Sequence, residues 1–120
     1  MIETASASKT VTTVGEWFAD LEPPPPPALI EKLQRLITDD ASKPVSEVPE
    51  VCLRAGENLL RELLASGSMS RGTALDLLSV DALVTYAFEA GASNPEHLEQ
   101  LTSDAMMRIG ALAAQVNAHD

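Results

Sequence analysis

Residues Thr73 to Ala92, TALDLLSVDALVTYAFEAGA, spell a helix with apolar side chains almost all the way round. At 3.6 residues per turn, Leu75, Leu77, Leu78, Val80, Leu83, Val84, Tyr86 and Phe88 cover most of its circumference. A helix without a clear polar face belongs in the middle of something. The chain is therefore expected to wrap other helices round this one, and the pattern elsewhere supplies them.

Val14, Trp17, Phe18 and Leu21 follow helical spacing, then Pro23 to Pro27 stops the helix. Five prolines favour a stiff polyproline II rod about 15 Å long, expected to hold the aromatic helix away from the main body. Pro27 suits the first position of the next helix, which runs to about Thr38 on a stripe of Leu29, Leu33, Leu36 and Ile37. A third helix is expected to be capped by Ser46 and to reach about Ala65. Val48, Cys52, Ala55, Leu59 and Leu63 lie on its buried face. Gly67 can take the left-handed conformation that closes it. Ser70 is placed to cap the central helix. Asn94-Pro95-Glu96 is a strong start signal for the last, whose stripe is Leu98, Leu101, Ala105, Ile109, Leu112 and Val116. No stretch alternates with period two. The expected fold class is all-α: a compact four-helix bundle-like domain over 28–120, with residues 1–27 forming a tail, a short extra N-terminal helix and the polyproline segment.

Charge narrows the function classes. Acidic residues outnumber basic ones 18 to 8, a net charge of −10, and the excess is even along the chain. No basic patch is dense enough to neutralise a run of phosphates, so neither nucleic acid nor an anionic membrane surface is an expected partner. Cys52 is the only cysteine, so no internal disulfide can form. No window approaches the ~18 apolar residues of a membrane span. The opening MIETASASKTVTTVGEWF lacks the continuous apolar core of a secretory signal, and the expected compartment is the cytoplasm.

Catalytic patterns fail one by one. The Gly67–Gly72 loop has Met69 where a nucleophile elbow needs serine, and it lacks the lysine of a phosphate-binding loop. Cys52 sits on an apolar stripe, the usual place of a core cysteine. No Glu-x-x-His is present, and His97 and His119 lie near helix ends, so no metal or other cofactor is expected. Val80-Asp81-Ala82-Leu83 with Ala87-Phe88-Glu89 is locally similar to a helix of the polyprenyl diphosphate synthases. That family's D-D-x-x-D motif is absent, Asp39-Asp40 being a bare pair, so the similarity carries no activity with it.

Two sets of residues then stand as candidates. Trp17, Phe18 and Leu21, with Met106 and Met107 on the last helix, have the character of anchors for a protein partner or a second copy of the chain, the alternative being that Trp17 and Phe18 fold back onto their own bundle. Asp81, Thr85 and Glu89 form a polar line on the central helix. Together with Tyr86 and Arg71 they could frame a small-ligand or metal-ion site if they converge on one cavity. The first set makes the leading expectation a non-enzymatic protein–protein interaction or regulatory module, self-association included. A third expectation is an acidic regulator covering a basic surface of another protein.

Overall fold

A computed structural model describes residues 10–67, 71–92 and 95–118. The expected caps Ser70 and Asn94 lie outside the described residues. Among the described residues five α-helices follow one another: α1 (Val14–Ala19), α2 (Pro27–Leu36), α3 (Val48–Ser66), α4 (Arg71–Gly91) and α5 (Pro95–Ala118). Single 3₁₀ turns at Thr38–Asp40 and Val45–Glu47 join α2 to α3. The described residues form no strand, and the fold is an all-α, bundle-like domain.

Local signals account for most boundaries. Pro27 opens α2. Gly67, at φ 63°, closes α3 in the left-handed conformation, its N–H donating to the Leu63 carbonyl at 3.2 Å. Ser46 is not the cap of α3. It lies within the second 3₁₀ turn, which runs straight into the helix, so Glu47 takes the cap position without a side-chain bond.

The α3–α4 hairpin is the largest contact in the fold, and α2 and α5 also pack on α4. The buried side of α4 is Ser79, Leu83, Ala87 and Gly91, spaced four apart. Ser79 is tolerated there because its hydroxyl donates to the Leu75 carbonyl at 2.8 Å. Gly91 admits α5: a β-carbon there would lie 3.0 Å from Leu101 Cδ2. The expectation of a helix wrapped on all sides is corrected. A flank running through Ala74, Leu77, Leu78, Asp81, Thr85 and Glu89 faces solvent, about a third of the circumference. Leu77 and Leu78 are 47% and 52% exposed, so the even apolar pattern concealed a wet side.

The N-terminal helix is also differently placed from the expectation. A capping box starts it: the Thr13 hydroxyl accepts from Glu16 N–H at 3.2 Å, and Glu16 reaches back to Thr13 N–H at the same distance. The Thr12 and Thr13 donors hold the Glu16 carboxyl below the usual carboxylate range. Backbone bonds then tie the segment to the α2–α3 connection. Val14 donates to Lys43, Gly15 to Ala41, and Val45 back to Thr12, each at 2.9 Å. A β-carbon on Gly15 would stand 3.2 Å from the Ala41 carbonyl oxygen, so the close approach selects glycine. Val14 and Phe18 are buried in one core with Leu33, Val51, Cys52 and Leu83. The polyproline segment therefore returns the chain to its own body, and the break expected at residue 27 does not divide the core.

Phe18→Ala should lose about 3–5 kcal/mol of unfolding free energy, as large aromatic truncations in packed cores do. A urea titration followed by helix circular dichroism measures this. A loss below 1 kcal/mol would show that α1 is an appendage.

Candidate functional site

The two candidate sets meet different fates. In the first, Phe18 is buried, while Trp17 and Leu21 are half-buried against the core. Trp17, Phe18 and Tyr86 form an edge-to-face trio with ring centroids 5.3, 5.8 and 6.1 Å apart. These aromatic rings anchor α1 to α4 of the same chain, so of the two placements left open, Trp17 and Phe18 take the one folded back onto their own bundle. Met106 and Met107 are the members left at the surface, 70% and 69% exposed.

In the second set, Asp81, Thr85 and Glu89 are all exposed on the solvent flank of α4. Tyr86 packs its ring in the aromatic trio, and the Arg71 side chain lies outside the described residues. Among the described residues, none of Asp81, Thr85, Tyr86 and Glu89 lines either cavity described below. Burial and the neighbouring Glu89 push the Tyr86 hydroxyl above its ordinary range, which leaves it a neutral phenol.

The charged cluster that does converge was not expected from sequence spacing. A spacing of four along α5 makes Asp104 the local partner available to Arg108. Instead its Nη2 donates to both Glu50 oxygens on α3, at 3.0 and 2.8 Å, and its Nε lies 3.8 Å from Glu57. Asp104 accepts from Gln100 at 3.2 Å. Glu50 and Asp40 both meet Arg54, and Lys43 lies 2.9 Å from Asp40. The Lys43 hydrogen bond, assisted by Arg54, holds the Asp40 carboxyl below its usual range. Three elements are thus pinned by one chain of alternating charge: the α2–α3 connection, α3 and α5. Arg108 Nη1 is buried without a hydrogen-bond partner among the described residues. On α4, Asp76 pairs with Lys32 of α2 at 3.0 Å.

Two openings flank Arg108. An open cleft of about 170 Å³ lies between the start of α3, the end of α4 and α5, lined by Ser46, Pro49, Glu50, Gly91, Gln100, Leu101 and Asp104. Its carboxylates already have donors in Arg108 and Gln100. A smaller apolar groove of about 30 Å³ runs between α3, α4 and α5, past Leu60, Val84 and Ile109. Neither lining includes a cysteine, histidine or lysine. Among the described residues no three His, Cys, Asp or Glu side chains gather as a metal site, and no helix is long and apolar enough to cross a membrane.

Cys52 is fully buried, and burial alone pushes its thiol up to about 12. A thiol so placed is a packing group, not a nucleophile.

The side of α5 turned away from α3 and α4 carries Met106 and Met107, the most exposed large hydrophobic side chains among the described residues. Ile109, expected within the buried stripe, is 47% exposed, and Leu101, Ala105 and Leu112 carry the packing instead. Val116, the last member of that stripe, has a side chain outside the described residues. From Ala105 to Ala118 the helix has one charge, Arg108, and that one is engaged. Comparison with family models, with curated proteins and with solved structures finds no match to this chain.

Iodoacetamide at pH 8 should leave Cys52 unmodified in the folded chain and alkylate it fully in urea, as mass spectrometry can read. Because the ordinary thiol value is 9.0 and the folded one about 12, the unfolded chain releases this proton first. Stability should therefore fall as pH rises from about 9 toward 12. Rapid alkylation of the native chain would contradict the burial.

Proposed function

We propose that this chain is a non-enzymatic protein–protein interaction or regulatory module that meets its partner through the exposed face of α5. The observation that carries this is the pair Met106 and Met107, 70% and 69% exposed on a helix that carries no free charge over its second half. A helix face that remains in water ordinarily carries charged and polar side chains. Methionine is also adaptable, with three rotatable bonds and a polarisable sulfur, and is favoured at surfaces that must fit a partner. The net charge of −10 disfavours nucleic acid as that partner. A cytoplasmic setting belongs to the same proposal.

The test substitutes both methionines with glutamate. The Met106→Glu/Met107→Glu chain should keep its urea midpoint, within about 0.5 kcal/mol, because surface changes away from packed groups have little effect. In size-fractionated extract of the native source, the parent should run as part of a larger species and the double variant as the free chain. A parent that runs alone, or a double variant that keeps its complex, would refute the proposal.

A further inference from the structure

Apart from Leu101 and Ala105, every member of the buried cluster lies between Val14 and Ala87. Among the described residues α5 buries Leu101, Ala105 and Leu112, and Leu112 stands outside that cluster. α5 packs on α3 and α4 much more lightly than those two helices pack on each other. The core of α1 to α4 is therefore nearly complete without the last helix. We propose that α5 is a strap that lifts from the α3–α4 hairpin as a unit while that core stays folded, and that Arg108 is the clasp that holds it closed.

The seam beneath α5 is imperfectly filled. Both openings described above lie on it. The cleft of about 170 Å³ has Gln100, Leu101 and Asp104 of α5 on one side and the start of α3 on another. The groove of about 30 Å³ lies beside Ala105 and Ile109 of the same helix. Atoms that line a void lack neighbours on one side and forfeit dispersion energy. On the same seam, Arg108 Nη1 is buried without an acceptor among the described residues. A buried donor left unpaired opposes the closed state, and lifting α5 returns it to water.

Arg108 is the one lysine or arginine on α5, and it spans two acids of α3, Glu50 and Glu57, that stand two turns apart. These pairs are partly exposed, so the clasp is weak enough to release. A helix held by a short apolar line and one such clasp opens at a lower free energy than the whole chain unfolds. Opening uncovers Leu53, Leu60, Val80 and Val84, which line the groove on the hairpin. The closed and open chains thus present different apolar surfaces. The device belongs to the isolated chain and does not depend on the interaction reading above.

Native-state hydrogen exchange of the full purified chain in low urea tests this. The amides from Leu101 to Leu112 should share one opening rate, about tenfold or more faster than that of Leu83 to Ala87. Ile37→Val trims a core that the open state keeps. It should speed exchange at Leu83 to Ala87 about fivefold and leave the α5 rate unchanged. Arg108→Gln should speed both sets by one common factor, about fivefold, because the open and the unfolded chain have both lost the clasp. Sodium chloride at about 1 M should narrow the gap between parent and Arg108→Gln, since salt screens the pairs that the variant lacks. An Ile37→Val chain whose α5 amides speed up as much as Leu83 to Ala87 overturns the strap, because α5 is then part of one cooperative unit. Exchange graded inward from Ala118, with no common rate, overturns it as simple fraying. Rates indifferent to Arg108→Gln overturn the clasp.

Discussion

Burial of one line on α4, through Ser79, Leu83, Ala87 and Gly91, is the constraint on which the rest of the fold depends. Each residue on it is small or aliphatic, so α3 can lie close along the hairpin, and Leu101 reaches over Gly91. On the neighbouring side, Tyr86 receives Phe18 and Trp17. The short α1 could not be stable as an isolated helix, since the first turn of any helix is unfavourable by itself. Its aromatic side chains bring the stabilising area, and its backbone bonds to Ala41, Lys43 and Val45 set the angle of entry. The hydrophobic effect is non-directional. The hydrogen bonds and the glycine contacts are what select one arrangement.

The ionic cluster acts at the periphery of that core. Arg108, Glu50, Glu57, Arg54, Asp40 and Lys43 are partly exposed, so each pair separately contributes little. Their value is positional. α5 has sparse contact with α3 and α4 compared with the hairpin itself. Arg108 fixes its rotation, which determines the residues that pack inward and those left in water. Met106 and Met107 are exposed because Ala105 and Leu112 are not. The candidate surface is thus a consequence of how α5 is held.

Much of the architecture was legible in the chain. Proline and glycine punctuation placed α2, α3 and the start of α5 within a few residues, because those residues act through the backbone and do not depend on tertiary context. The faces of α4 were not legible. When Leu77 and Leu78 are as apolar as Leu83, periodicity cannot rank the sides, and the neighbours decide. Ion pairing was hidden for a related reason: a spacing of four makes Asp104 a local partner for Arg108, but the acids of α3 compete across space and win. The aromatic helix returned to its own bundle through backbone bonds that no side-chain pattern reveals. Of the candidate residues, Met106 and Met107 stand in water on α5, whereas Asp81, Thr85 and Glu89 form a line for the simplest reason, which is that they mark the wet flank of α4.

Amide hydrogen exchange on the full chain measures the central dependence most directly. If the α4 line is the centre of one cooperative core, the amides from Leu83 to Ala87 exchange only by global unfolding, and Phe18 in α1 shares their protection. Amides of α4 that exchange as fast as those in the second half of α5, or an α1 that opens independently at far lower free energy, would contradict it.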